Sequence, residues 1–325
     1  MSGSPRVGVA GTGKIIPESV AAMQETGYEI VSIWGPHPEK AAPLADRFGI
    51  ERVCGSYDEL LSSKIDFVYI ALVNSVHFDY ARRALEGGVN VLLEKPFCSV
   101  SEEASILKDL AESKGLYIFE TISNIYLPAW RSVKNNLEGI GRIKLFQADF
   151  SQYSSRYYDY LKGRIFPSFN PDADGGSLRD LNVYNLHLSV DLLGNPVEVT
   201  ARYNRGHNGV DTSSAVILSY PEALAVCTAA KDSGNPSRVI IQGENGWILL
   251  PGMPNNLPSV EISIRGGENV VLNPNCYGNR LSHAYEFFRD CFLNRRYEEM
   301  LRYLDHSLMV MDALDRCRGS NYPIT

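Results

Sequence analysis

Apolar residues gather in short, unbroken runs along the first 120 positions, at 7–10, 30–34, 67–72, 89–93 and 117–119, with a shorter one near Val53. Runs of this kind suit strands covered on both faces, and the stretches between them carry apolar residues at helical spacing. This alternation predicts repeated βαβ units and a doubly wound parallel sheet. Helix punctuation agrees. Pro38 opens a helix over 39–48 that Gly49 closes, Ser99-Val100-Ser101-Glu102 reads as a capping box ahead of 104–114, and Gly87-Gly88 and Gly115 end two further helical stretches.

After Thr121 the rhythm changes. A short helix over 129–137 leads to a strand over 144–150, then to a long polar and aromatic stretch over 151–174. A connection of that length inside a compact domain is commonly functional, and its tyrosines, Arg156 and Arg164 point to a substrate-side loop; a plain surface excursion is the alternative. A helix follows over 176–193. Apolar runs at 197–203, 213–220, 223–229, 239–242, 247–250 and 260–264, separated by Gly, Pro and Asn, predict a largely antiparallel sheet, and helices over 280–292 and 298–316 close the chain.

The fold class expected is therefore α/β: a doubly wound N-terminal domain over 1–122 and a C-terminal α+β domain over 123–325 with a large, mostly antiparallel open sheet. The last helices are free to pack back on the first domain. A chain of 325 residues is long enough for two cores. A net charge of -7 offers no electrostatic footprint for nucleic acid or an anionic membrane, so a small molecule is the expected partner. The six cysteines are scattered without metal-ligand spacing, no apolar run is long enough to span a bilayer, and the opening Met1-Ser2-Gly3-Ser4-Pro5-Arg6 lacks an apolar h-region, which predicts a reduced cytoplasmic protein without a metal.

The first strand runs into Gly11-Thr12-Gly13-Lys14-Ile15-Ile16. A strand that turns on glycines into a helix brings backbone N–H groups, and the positive end of the helix dipole, to a pyrophosphate. Ile16 replaces the third glycine of the usual pattern, which serves packing and not phosphate contact, and an ordinary glycine turn is the alternative. The second strand ends in Gly35-Pro36-His37-Pro38 without the Asp or Glu that holds a ribose 2′-hydroxyl. The missing carboxylate, with His37 and Lys40 nearby, leans the cofactor towards NADP over NAD.

Two further stretches carry chemistry. Glu94-Lys95-Pro96 follows the fifth strand, where a lysine faces the ligand crevice at the carboxyl ends of a parallel sheet, unless it is merely a solvated loop lysine. In Gly175-Gly176-Ser177-Leu178-Arg179-Asp180-Leu181-Asn182-Val183-Tyr184-Asn185-Leu186-His187 the spacing puts Asp180, Tyr184 and His187 on one helix face. That is either an acid/base array or a polar helix face.

Together with the Asn74-Ser75-Val76-His77 turn, these stretches resemble the Gfo/Idh/MocA oxidoreductase family over most of the chain, Glu-Lys-Pro being the most specific mark. The resemblance implies an N-terminal Rossmann domain holding NAD or NADP, an open C-terminal sheet that mediates a homo-oligomer, and interconversion of alcohol and carbonyl groups on sugars, cyclitols or diols. The family's lysine maps onto Lys95, its helix aspartate onto Asp180, and its next catalytic position onto Tyr184, as in the dihydrodiol dehydrogenase and glucose-fructose oxidoreductase branch. Cofactor contacts are then expected from Gly11, Thr12, Gly13, Lys14, Ile15, Gly35, His37, Leu72, Asn74, His77, Glu94 and Lys95. Substrate contacts are expected from Asn124, Tyr126, Arg156, Arg164 and His187. The sequence departs from the family at Val73, where proline is usual, at Ile125, where arginine is frequent, and at Asn182, where glycine is usual.

Hydride transfer from a carbinol needs a group to take the hydroxyl proton. An ammonium such as Lys95 favours the phenolate of Tyr184, which makes Tyr184 the acid/base and Lys95 its tuning partner, with Asp180 holding the lysine charged or binding a substrate hydroxyl. Lys95 as the direct proton relay is the other assignment. A catalytically silent sensor of a dinucleotide or sugar, and a reductase of C=C or C=N bonds, are rival functions.

Overall fold

The computed structural model describes residues 3–319, and the chain divides into two compact units. One comprises the residues up to Ile122 together with Leu281–Leu308; the other comprises Ser123–Arg280 and the residues from Met309 onward.

In the first unit, strands β1 (Arg6–Ala10), β2 (Glu29–Trp34), β3 (Arg52–Val53), β4 (Phe67–Ile70), β5 (Asn90–Leu93) and β6 (Ile118–Glu120) alternate with helices α1 (Ile16–Glu25), α2 (Pro38–Phe48), α3 (Tyr57–Leu61), α4 (His77–Glu86) and α5 (Ser101–Lys114). The strands form one sheet in the order β3-β2-β1-β4-β5-β6 with every pair parallel. Strand β4 is buried at all four positions, as its unbroken apolar run requires. The order reverses between β1 and β4, the switch point at whose carboxyl end doubly wound sheets bind ligands. The capping box is shifted from its expected register: α5 begins at Ser101, and Glu103 rather than Glu102 takes the Ser99 N–H.

The second unit contains α6 (Pro128–Asn135) and α7 (Leu137–Ile140), which divide the one short helix expected there, and α8 (Tyr157–Leu161) and α9 (Val183–Leu193). Its sheet is built from β7 (Ile143–Ser151), β8 (Glu198–Arg205), β9 (Asp211–Ser219), β10 (Leu224–Ala230), β11 (Arg238–Gly243), β12 (Gly246–Pro251), β13 (Val260–Ile264) and β14 (Val270–Leu272). The order is β14-β13-β12-β11-β7-β10-β9-β8, and only the β7–β10 pair is parallel. Along β9 Val216 and Leu218 are buried while Ala215 and Ile217 are exposed, the period of two expected when one face is covered and the other open. Helix α9 packs on the covered face against β7 and β10.

Two final helices follow, α10 (Ser282–Leu293) and α11 (Tyr297–Gly319). Residues Leu281–Leu308 belong to the first unit, where Phe292 meets Phe67 and Phe288 stacks on Phe119. No helix among the described residues is long and apolar enough to cross a membrane.

Candidate functional site

In the first unit, Gly11 has a φ of +140°, and a Cβ there would lie 2.3 Å from the Ala71 carbonyl oxygen. Only glycine lets the loop leaving β1 pass this close to the loop leaving β4. Gly13, by contrast, is exposed with open space around its Cα. Helix α1 starts directly beyond Lys14 and Ile15 without a side-chain cap, so the turn presents backbone N–H groups at a helix N-terminus, a cradle that fits a pyrophosphate. Thr12 presses on the end of β2, where a Cβ on Gly35 would lie 2.8 Å from Thr12 Cγ2. His37 and Lys40 are exposed beyond it, and His37 Nδ1 stands 3.6 Å from Glu39 Oε1. The cation expected for a 2′-phosphate therefore shares its place with a carboxylate.

The loops after β4 and β5 are tied together by His77. Its buried imidazole places Nδ1 2.9 Å from the Pro96 carbonyl oxygen and Nε2 3.4 Å from that of Leu72. Burial holds the imidazole below its ordinary titration range, so the ring is neutral near pH 7 and its single N–H donates to one of these two carbonyls, the other nitrogen making only a packing contact. His77 thus acts on the crevice through the loops that carry Leu72, Asn74 and Lys95. Glu94 turns inward: Oε1 accepts from Tyr69 Oη and from Thr121 Oγ1, each at 2.8 Å, and Oε2 accepts the Lys95 N–H at 3.3 Å. Ser19 of α1 completes the chain at 2.8 Å from Tyr69 Oη. Lys95, half-buried and joined to Pro96 by a cis peptide bond, leaves a strand end that α1, β4 and the residue after β6 all brace.

In the second unit the helix expected over 176–193 starts later and differently. Leu178–Asn182 form a π-helical turn that passes into α9. Asp211, 34 residues on, accepts from Ser177 Oγ and the Leu178 N–H at 2.7 Å each and so supplies the helix start with its acceptor. Burial pushes the Asp211 carboxyl up, against the lowering effect of those hydrogen bonds. Gly176, at a φ of +120°, lets it in, because a Cβ there would lie 2.0 Å from Asp211 Oδ1. Such π turns are frequent at functional sites, and this one carries Asp180.

Helix α9 is buried on every side from Val183 to Val190, so Tyr184 and His187 are not on the open polar face that their spacing allowed. Buried amides bolt it to the sheet. Asn182 Nδ2 donates to Ser214 Oγ and to the Cys227 carbonyl at 3.1 Å each, and Asn185 Nδ2 donates to Asn182 Oδ1 at 2.8 Å and to the Thr228 carbonyl at 2.9 Å. The departure from glycine at 182 is thereby explained. Asn124 Nδ2 donates to the Tyr184 carbonyl at 2.8 Å, while its Oδ1 is buried with no partner among the described residues. The Tyr184 ring meets the edge of Phe150 at 5.6 Å.

The stretch over 151–174 is ordered by its own small core, not a floppy excursion. Tyr160, Phe169 and Val210 are buried together, Tyr157 packs against them, and His207 stacks on Tyr160 at 4.4 Å. Arg156 and Arg164 both lie over Phe166, at 5.1 and 4.8 Å from its ring centroid. Arg156 is half-buried, whereas Arg164 is exposed near Asp159. Tyr126 is buried in a one-turn helix with Asn124.

Sequence reading overlooked Lys231. Its Nζ donates to Asp180 Oδ2 at 2.7 Å from a residue only 2% exposed, although a lysine ending an apolar strand run is a visible anomaly. Asp211 and the Ser19–Tyr69–Glu94–Thr121 chain were also missed, since each joins residues that only the folded topology brings together. Among the described residues no group of three or more His, Cys, Asp or Glu could hold a metal ion.

Against this geometry the likenesses to known proteins can be set. The profile of an oxidoreductase family with an NAD-binding Rossmann fold matches residues 5–121, and that of the GFO/IDH/MocA C-terminal domain matches residues 136–249. The scyllo-inositol 2-dehydrogenase (NADP(+)) IolU of Bacillus subtilis (strain 168) is 32% identical over 258 residues, 78% of each chain. The trans-1,2-dihydrobenzene-1,2-diol dehydrogenase of Xenopus tropicalis is 25% identical over 97% of this chain and 98% of its own. In fold alone, the chain resembles the 3-ketoreductase KijD10 of Actinomadura kijaniata, solved with NADP and TDP-benzene, at a TM-score of 0.85 and 24% identity over 98% of each chain.

Proposed function

The chain belongs to the Gfo/Idh/MocA family of oxidoreductases, with an NAD(P)-binding Rossmann domain, and from that premise we propose that it interconverts a hydroxyl and a carbonyl on a sugar, cyclitol or diol. The observation that carries this reading is the polar start of an otherwise buried helix. There Asp180 is held by a buried lysine, Tyr184 follows on the next turn, and Asn124, whose amide N–H donates to the Tyr184 carbonyl, keeps its Oδ1 buried in want of a donor. A buried acceptor left unpaired costs about 1–3 kcal/mol, which a substrate hydroxyl offsets by donating to it. The relatives named for an inositol and for a diol support the same substrate class.

The residue roles follow from the chemistry. The nicotinamide, when bound, takes the hydride from the carbinol carbon or returns it. In oxidation the hydroxyl proton passes to Tyr184 as the C–H bond breaks; in reduction Tyr184 protonates the oxygen as the hydride arrives. Lys95 orients that hydroxyl and assists the proton transfer with its ammonium, and Asp180 orients the substrate through a hydroxyl or supports that ammonium. Gly11, Thr12, Gly13, Lys14 and Ile15 cradle the pyrophosphate, with Gly35, His37, Leu72, Asn74 and the loops braced by His77 and Glu94 completing the cofactor contacts. Asn124, Tyr126, Arg156, Arg164 and His187 take the substrate. NADP is the favoured cofactor, because the turn that follows β2, Gly35-Pro36-His37, carries no acidic residue.

A second copy of the chain is assigned to the open face of the larger sheet, where Ile217 and Leu224 are 46% and 48% exposed. The test of the activity is nicotinamide reduction with a panel of inositols, aldoses and vicinal diols, and oxidation with their carbonyl partners. Turnover of at least one polyol, lost in Lys95→Met and Tyr184→Phe, is expected. Tight NADPH binding with no turnover across the panel would make the protein a sensor instead.

A further inference from the structure

Lys231 stands where four segments meet. It directly follows β10, its N–H donates to the Thr212 carbonyl at 2.8 Å, and its own carbonyl accepts from the Ser154 N–H at 2.9 Å. Its Nζ donates to Asp180 Oδ2 and to the Ser168 carbonyl at 2.7 Å each and sits 4.5 Å from the centre of the Phe169 ring. The same Ser168 carbonyl accepts the Gly176 N–H at 3.2 Å. Asp180 is the more open partner, with 37% of its side chain exposed against 3% for Lys231. The charge is therefore buried from behind while the carboxylate looks outward.

Burying an ammonium is expensive, and an apolar side chain of the same length would fill this place at no such cost. What an apolar residue cannot do is donate to a carboxylate and hold it in a single direction. We propose that Lys231 is a positioning residue: it fixes the Asp180 carboxylate in the orientation that the substrate meets, and through Ser168 and Phe169 it locks that orientation to the aromatic segment over 153–169. This rests on the reading of Asp180 as a site residue. Lys231 is 2% exposed and its Nζ is spent on Asp180 and the Ser168 carbonyl, so its effect belongs in turnover rather than in nucleotide affinity.

The test is a double-mutant cycle on the full-length protein with whichever polyol of the panel is turned over. Lys231→Met is expected to lower kcat about 10- to 100-fold, the cost of a misplaced site group, with the NADPH Kd, read by fluorescence, unchanged. Lys231→Gln keeps a donor for the Ser168 carbonyl but removes the charge, and it should lose as much. In an Asp180→Asn background either change should cost less than about twofold, because no carboxylate remains to be held. Equal losses in both backgrounds, or full activity of Lys231→Gln, would overturn the proposal and leave Lys231 a structural tie. If Lys231→Met does not fold, as read by near-UV circular dichroism, Lys231→Gln decides. The two failures are distinct: full activity of Asp180→Asn defeats the reading of the helix, whereas an inactive Asp180→Asn beside an active Lys231→Gln defeats only the role of the lysine.

Discussion

Replacing each glycine of the first turn by alanine separates its two duties. In Gly11→Ala the new Cβ lies 2.3 Å from the Ala71 carbonyl oxygen at a φ of +140°. A non-glycine residue in that region costs about 1–3 kcal/mol in backbone strain. Relief by movement is blocked on both sides, because the Gly11 N–H donates to the Trp34 carbonyl at 2.8 Å and the Ala71 N–H donates to the Ala10 carbonyl at 2.9 Å. Giving up either bond costs about 1 kcal/mol more. The expected loss is about 2–4 kcal/mol, a fall in Tm of roughly 10 °C for a domain of this size. In Gly13→Ala nothing lies within 4 Å of the new methyl, so Tm should move by no more than about 2 °C. Its effect should fall on the nucleotide, with a Kd for NADPH about tenfold weaker, or about 1.4 kcal/mol. Differential scanning calorimetry and a fluorescence titration measure both quantities. Wild-type melting of Gly11→Ala, or wild-type NADPH affinity in a well-folded Gly13→Ala, would refute the reasoning.

Other expectations follow from single contacts. Burial depresses the titration of His77 from its ordinary value of 6.5, so below that pH the unfolded chain takes up a proton that the folded protein refuses. Stability is therefore lost as pH falls through 6.5, by at most about 1.4 kcal/mol per pH unit for one site, and His77→Gln should flatten the fall in Tm between pH 7 and 5.5. An unchanged slope would show that the imidazole does not bear it. Asn182→Gly restores the residue usual in the family but removes two donated bonds and one accepted bond from the buried amide ladder. Urea unfolding should register a loss of about 2–4 kcal/mol, and a loss under 0.5 kcal/mol would contradict the structural account of that departure. Cofactor titration should give tighter binding of NADPH than of NADH, with the margin widened in Glu39→Gln, since Glu39 offers a negative charge beside His37. A preference for NADH would reverse the assignment.

The unbroken apolar runs of β4 and β5 made the parallel sheet readable, because strands buried on both faces leave no alternation. Gly11 and Gly13 looked alike in sequence, and only the approach of the Ala71 carbonyl separates a steric glycine from an open one. The helix that carries Asp180 and Tyr184 was legible in the sequence, but its geometry was not. Spacing argues from 3.6 residues per turn, whereas the first turn is π-helical and its acceptor comes from Asp211 on a different strand. Lys231 escaped for the same reason: its meaning depends on Asp180, 51 residues away in sequence. The tyrosine-rich stretch read as a loop because its core, Tyr160 with Phe169 and Val210, has no periodicity to betray it.

The joint action of Lys95 and Tyr184 on one proton is tested most directly by single-turnover hydride transfer in Lys95→Met, Tyr184→Phe and the double variant, each with saturating NADPH and a ketone that the wild type reduces. If the two side chains work as a unit, the double variant is no slower than the slower single variant, and both singles fall by about 100-fold or more. Losses that multiply in the double variant, or a single variant that keeps the wild-type rate, would contradict the account.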